Sequence, residues 1–273
     1  MTERSNLTLT QRQLNEKAHY DEAYHKHLEE RRPDGGLSFP PAESAFHAVL
    51  PKETRPYNQD WEYLNAVKTL DLKGKTILEL GCGTGVYSVI FAHLGAEVFA
   101  VDLSSVAIEV ARERARFYGL ENNIHFINQP AEALDFRDGM FDAIVGAYIL
   151  HHIEIDVASR NMQAILKPGG VAVFLEWVVW NPFDTVRLNK MVSRLFPHGD
   201  GDFTEDERKL NSNDFAALRK YFTVEVVRFY TLARLCYFSP SKLTFLMKLD
   251  HWLYTHFPPI RNTGGAALIR LIK

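Results

Sequence analysis

Cysteine is nearly missing from this sequence. Cys82 and Cys236 are the only two, and a single pair in 273 residues cannot build the disulfide framework of a small secreted domain. A reducing, cytoplasmic setting fits that scarcity. A basic surplus is missing too: 31 lysines and arginines face 34 acids, for a formal charge of -3, so few cations are left to neutralise a phosphate backbone. Nucleic acid is therefore not an expected partner, although a local basic patch stays compatible with these numbers. No uncharged apolar stretch reaches the 18 residues of a membrane-spanning helix, and the first 20 residues hold no apolar core of signal-peptide length. The chain is expected to be neither secreted nor membrane-spanning. What is present, 46% hydrophobic and 24% charged residues, suits a globular chain that buries a core without staples.

Residues 1–74 are polar and helix-permissive, broken by "RRPDGG" and "FPPAE", and read as an N-terminal extension of helices and loops. After Lys75 short apolar runs alternate with helical patterns. Strands are expected at 76–80, 97–102, 123–128, 141–147 and 170–177, with helices at 85–94, 104–118 and 155–166. That alternation implies βαβ units and a parallel sheet covered on both faces. Further on, Asn181 and Pro182 read as a helix start ahead of the stripe Leu188, Met191, Val192 and Leu195. "TEDE" at 204–207 has capping-box form, and "SNDFAALRKYF" reads as a short helix. Val224–Tyr230 and Ala266–Ile272 look like late strands separated by a helix over 241–257, which would complete a seven-stranded sheet.

The stretch "ILELGCGTG" at 77–85 puts Gly81, Gly83 and Gly85 between a buried strand and a helix, so the turn can be tight and the backbone can touch a bulky ligand. Asp102 ends the next strand, where a carboxylate can accept from both hydroxyls of a ribose. Together they point to an adenosine-containing ligand. A dinucleotide fingerprint would carry a glycine where Val86 stands. The pattern is instead ExGxGxG, with Glu79 as a carboxylate suited to an ammonium group. S-adenosylmethionine has an amine and a ribose and no phosphate.

This loop resembles motif I of the class I S-adenosylmethionine-dependent methyltransferases, and further segments resemble the family in order. "VFAVDLS" is similar to its second-strand motif, "NQPAEALDF" to the "DAExLPF" segment beside the adenine, "FDAIVGAYILHHI" to the fourth strand and its exit, and "LKPGGVAVFLEW" to the fifth strand. The resemblance covers about residues 75–178. It implies an α/β, Rossmann-like, doubly wound seven-stranded sheet, mostly parallel with an antiparallel last strand. To this are added the N-terminal helical extension (1–74) and, within a methyltransferase domain over 75–273, insertions at about 180–212 and 236–262 that include a helical lid. It also implies cofactor contacts at Glu79, Gly81, Cys82, Gly83, Asp102, Leu103, Ala131, Glu132 and Ala147. One departure is Pro130, which stands where the family commonly has an aspartate for the adenine amine. The backbone of Ala131 and the side chain of Glu132 remain as neighbours for that base.

Methyl transfer from a sulfonium is an in-line displacement of an already activated group. Positioning therefore carries most of the catalysis, and a base is needed only where the acceptor must lose a proton. Candidates at the carboxyl ends of strands four and five are His151, His152, Tyr148 and Glu176, each with a scaffolding alternative. Cys82 fits a small packing residue of the loop better than a nucleophile. The cluster "AHYDEAYHKH" holds His19, Tyr20, Tyr24, His25 and His27, but no matching ligand set accompanies it and no metal is expected; a helical flap with Tyr20 or Tyr24 inward is preferred.

The stretch "GAYI" replaces the Asn/Asp-Pro-Pro-aromatic run of nucleic-acid amino methylases, and there is neither the cysteine pair of base-carbon methylation nor a CxxxCxxC. Trp177, Trp180, Phe183 and Phe196 precede "PHGDGD", a helix and loop able to close over an apolar small molecule. Helix 241–257 is broadly apolar, for core or dimer packing, an acceptor wall or peripheral membrane contact. The expected function is methylation of a small, partly apolar metabolite at oxygen or carbon by a monomer or homodimer, with S-adenosylhomocysteine as by-product. The alternatives are a catalytically silent cofactor-binding or regulatory protein, and a protein or RNA methylase.

Overall fold

In the computed structural model the described residues are 9–29, 39, 59–178, 208–229, 243–257 and 265–273. The expected helix after Pro182, the acidic run 204–207 and the "PHGDGD" loop lie outside them. Among the described residues seven strands form one sheet: β1 (Thr76–Leu80), β2 (Glu97–Asp102), β3 (Ile124–Asn128), β4 (Phe141–Ala147), β5 (Leu166–Trp177), β6 (Thr223–Phe229) and β7 (Ala266–Ile272). Their order is β3-β2-β1-β4-β5-β7-β6. The first five strands pair in parallel, and β7 runs antiparallel to both of its neighbours. This is the Rossmann-like arrangement that the sequence implied, with the antiparallel last strand.

The helices are α1 (Gln11–Glu29), α2 (Gln59–Lys68), α3 (Val86–His93), α4 (Ser105–Phe117), α5 (Ile155–Ile165), α6 (Ser212–Leu218) and α7 (Leu243–His256). Strands buried on both faces need apolar residues at nearly every position, and alternate side chains then feed two cores. Leu78, Leu80, Ile144 and Phe174 pack with Met162 of α5 and Phe215 of α6. Ile77, Val98, Val145 and Leu175 pack on the other face with Tyr63 of α2 and Phe91 of α3. Glu79 alternates with Leu78 and Leu80 and so falls on the second face, which decides its environment below.

Helix starts follow local chemistry. Ser104 accepts from the Ala107 N–H at 3.0 Å to open α4. A capping box does occur, at Asn211 and Asp214 ahead of α6. One strand departs from expectation: β5 begins at Leu166 rather than 170, because Leu166 pairs with Phe141 before the register shifts between Phe141 and Ala143. Among the described residues no helix is long and apolar enough to cross a membrane.

Candidate active site

From β1 the chain adds β2 and β3 on one side and β4 and β5 on the other. A doubly wound sheet leaves a crevice at that reversal, beyond the carboxyl ends of its strands. A cavity of about 230 Å³ lies there. Its walls are Gly81 and Gly83 after β1, Val101 to Ser104 at the end of β2, Gln129 to Glu132 after β3, and Ala147 to Ile149 with His152 and Ile153 after β4. Gln13, Glu16, Lys17, Tyr20 and Tyr24 of α1 close it.

The glycine loop folds back on β2, the N–H groups of Gly81 and Cys82 both donating to the Val101 carbonyl at 2.8 and 3.0 Å. That bend holds Gly81 at φ 67° and Gly83 at φ 50°, a region costly for residues with a Cβ. A Cβ on Gly81 would come within 2.9 Å of Ile149, and one on Gly83 within 3.3 Å of the Tyr24 hydroxyl. Glycine thus serves the turn and keeps the wall open. Cys82 itself is buried outside the cavity wall, and burial first, then Asp102 and Glu79, pushes its thiol pKa up.

Asp102 is held at both oxygens: Oδ2 accepts from the Gly83 N–H at 2.7 Å and Oδ1 from the Ser104 N–H at 2.8 Å. Burial raises its pKa, the two N–H donors oppose the rise, and Glu16 and Asp21 add to it. A carboxylate with one fixed donor per oxygen retains lone pairs for two more donors, which is what a ribose diol offers. The wall carries Asp102, Glu16 and Glu132 against Lys17, whose ammonium is engaged by Asp21 and by Ser105 Oγ. A surplus of acids around a ribose-sized carboxylate site fits a ligand with ammonium and sulfonium charges, and fits pyrophosphate poorly.

Leu103, Ala131, Glu132 and Ala147 line the cavity together with Gly81, Gly83 and Asp102. Glu79 does not. Its side chain is 2% exposed, and Oε2 accepts from Ser88 Oγ of α3 at 2.5 Å. Burial pushes its pKa up to about 8, against the Ser88 hydrogen bond and with help from Asp102. Where an ammonium anchor was expected, the structure has a largely protonated acid facing α3.

The four proton-transfer candidates separate into two layers. Tyr148 and His152 line the cavity. Tyr148 takes φ 57°, its N–H donating to Leu175 O at 2.7 Å and its ring stacking on Trp177 with centroids 5.7 Å apart. Its hydroxyl accepts from Gln59 Nε2 and donates to Asp60 Oδ1 at 3.4 Å. Burial raises the Asp60 pKa, opposed by the hydroxyls of Tyr87 and Tyr148 that donate to it. His152 places Nδ1 2.9 Å from Glu16 Oε1 and Nε2 3.2 Å from the Tyr20 hydroxyl. With the proton on Nδ1 the ring donates to Glu16 and accepts from Tyr20.

His151 and Glu176 stand behind that wall. Glu176 is fully buried; Oε1 accepts from the Ile149 and Leu150 N–H groups at 2.7 and 2.5 Å, and Oε2 lies 2.7 Å from His151 Nδ1. All of its partners belong to the turn that carries Tyr148 and His152. Gln59 and Asp60 carried no signal in the local sequence. Gln13, Glu16, Tyr20 and Tyr24, however, follow the three-to-four spacing of one helical face, a pattern that would have found the α1 wall.

Side-chain bonds attach α1 to the rest. Asp21 Oδ1 accepts from Ser104 Oγ at 2.5 Å and from the Val106 N–H at 3.3 Å, so a carboxylate meets the positive end of α4. Gln13 Nε2 donates to Glu132 at 3.0 Å, and Arg12 pairs with Glu154 at 3.1 Å.

Residues 77–170 match a family model described as a methyltransferase domain. The ubiquinone/menaquinone biosynthesis C-methyltransferase UbiE of Shewanella frigidimarina is 37% identical over 108 residues, covering 38% of this chain and 43% of the relative. Its counterpart from Haemophilus ducreyi is 36% identical over 109 residues, covering 38% and 42%. The chain therefore spans less than half the length of these relatives. Among solved structures, geranyl diphosphate C-methyltransferase from Streptomyces coelicolor A3(2) aligns with a TM-score of 0.57 at 14% identity, over 97% of this chain and 98% of that one. The [4+2]-cyclase SpnF aligns at 0.54 and 22% identity, over 79% and 81%. These two likenesses speak to fold alone, and one of them is to a cyclase. The matched segment holds the glycine loop, Asp102 and the exits of β3 and β4, and on that sequence match residues 77–170 form a methyltransferase domain of the class I S-adenosylmethionine-dependent family.

Proposed function

We propose that this chain is an S-adenosylmethionine-dependent methyltransferase acting on a small, partly apolar metabolite. The observation that carries the proposal is the Asp102 carboxylate, pinned by Gly83 and Ser104 at the open glycine wall of an acid-rich cavity. Bound S-adenosylmethionine supplies a methyl group already activated by sulfonium charge. Asp102 would hold its ribose, Gly81 and Gly83 would admit it against bare backbone, and α1 would cover it from water. Transfer to oxygen or carbon is favoured over nitrogen, and the names of the UbiE relatives, which are C-methyltransferases, support the carbon side of that choice.

Where the acceptor must lose a proton, Tyr148 and His152 are the wall residues to take it. Tyr148 can pass a proton from its hydroxyl to Asp60, whose buried carboxylate is the stronger base for its raised pKa. His152 can accept at Nε2 once Tyr20 turns away, with Glu16 stabilising the resulting cation. His151 and Glu176 would act as scaffold for that turn. A cytoplasmic location and a monomer or homodimer belong to the same proposal. Its test is radiolabelled methyl transfer from S-adenosylmethionine into a fractionated cell extract. Label in the organic-soluble small-molecule fraction is expected; label in protein or RNA would mark a macromolecular methylase, and no label despite cofactor binding would mark a silent binding protein.

A further inference from the structure

Arg114, in the last turn of α4, is a cation buried outside the cavity wall, with 9% of its surface exposed. Arginine is almost never buried this far unless an acid pairs with it, because an uncompensated charge is costly to take out of water. Among the described residues no carboxylate acts on this one. Its partners are neutral oxygens and a ring. Nε donates to the Thr84 carbonyl at 2.8 Å, and a terminal guanidinium nitrogen reaches Thr84 Oγ at 3.4 Å. The Tyr118 hydroxyl oxygen is a further acceptor, and the Phe39 ring covers the guanidinium with its centroid 4.3 Å from Cζ.

The Thr84 carbonyl belongs to the bend that forms the cavity's glycine wall. One residue earlier the Gly83 N–H donates to Asp102 Oδ2 at 2.7 Å, and Asp102 Oδ1 accepts from the N–H of Ser104, the residue that caps the start of α4. The contacts close into a ring: loop to Asp102, Asp102 to the first turn of α4, along α4 to its last turn, and through Arg114 back to the loop. Helix and loop also touch inside that ring, since a Cβ on Gly85 would come within 2.8 Å of Ala111, one turn before Arg114. Asp102 fixes one end of the loop and Arg114 the other.

From this ring we propose that Arg114 is a positioning residue for the cofactor: by holding the Thr84 carbonyl against α4 it sets the distance between the glycine wall and the carboxylate assigned to the ribose. The inference rests on the S-adenosylmethionine reading above, and its test separates the two. Calorimetry measures S-adenosylhomocysteine against the full chain, its Arg114→Met, Arg114→Lys and Asp102→Asn variants, and the Arg114→Met/Asp102→Asn double variant, with thermal unfolding to check that each folds. Arg114→Met should weaken binding about tenfold. Arg114→Lys, which keeps a charged donor for the carbonyl, should restore most of that loss. Asp102 is effective only where the loop is held, so Asp102→Asn should weaken the Arg114→Met protein only about 2- to 5-fold further, against about 10- to 100-fold in the parent. A residue that only supported the helix would lower the unfolding temperature and leave the two losses additive. Additive losses, or parental affinity in Arg114→Met, overturn the assignment while leaving the cofactor reading intact. If Arg114→Met does not fold, Arg114→Gln takes its place in the cycle, and failure of both to fold overturns the assignment too, since Arg114 is then a residue of stability. Failure of the unmodified chain to bind S-adenosylhomocysteine overturns the cofactor reading along with it.

Discussion

Glu79 ties the pH dependence of stability to the glycine-loop core. Its carboxyl is 2% exposed and carries a pKa of about 8, against 4.5 for an ordinary glutamate. Between those values the native state binds a proton that the unfolded chain has released, so stability falls as pH rises through the window. Below 4.5 both states are protonated and nothing is lost; above 8 the whole penalty is present. At ~1.36 kcal/mol per pH unit the full window amounts to about 5 kcal/mol, of which about 3 kcal/mol falls between pH 5.5 and 8.5. Glu79→Gln keeps an acceptor for Ser88 Oγ and removes the titration. Urea unfolding at the two pH values should show the parent losing about 3 kcal/mol more than the variant over that interval. Parallel losses in the two proteins would refute the reasoning.

Other consequences follow from single contacts. Gly81→Ala should cost about 2–4 kcal/mol, from its positive φ and the contact with Ile149; Gly119→Ala, with φ 66° and nothing near its Cβ, should cost only about 1 kcal/mol. Equal losses in urea titrations would remove the steric argument. Glu176→Ala strands two backbone N–H groups and His151, so stability should fall by about 3–5 kcal/mol, while His152→Ala should cost far less; a catalytic Glu176 would instead lower turnover at unchanged stability. Asp21→Ala removes the carboxylate that attaches α1 to the start of α4, and stopped-flow dissociation of S-adenosylhomocysteine should quicken about 5–30-fold. An unchanged rate would mean that α1 does not close the cavity.

Much of the central sheet was legible because each element announces itself locally. Apolar runs bounded by turn residues mark β1, β2 and β4, and Asp102 could be placed because a strand end lies next to the reversal in strand order. The start of β5 was missed because "KPGG" reads as a turn, although Leu166 already pairs with Phe141 ahead of it. The exit of β4 illustrates what a linear reading cannot reach. It offers Tyr148, His151 and His152 without saying which faces the ligand, and the answer depends on Glu176 holding the turn from β5. Asp60 lies 88 positions from Tyr148, and no periodicity connects them. Glu79 was placed correctly in the glycine motif but given the wrong surroundings, since a pattern of residue types does not reveal which sheet face a helix such as α3 will cover.

The central claim is that a bare backbone turn and the Asp102 carboxylate grip an adenosyl sulfonium compound. Titration calorimetry of the full chain with S-adenosylhomocysteine, alongside NAD, tests it most directly. The account predicts saturable binding of one S-adenosylhomocysteine per chain, weakened about 10- to 100-fold in Asp102→Asn, and no comparable binding of NAD. Heat from NAD alone, or an Asp102→Asn variant that binds S-adenosylhomocysteine as tightly as the parent, would contradict it.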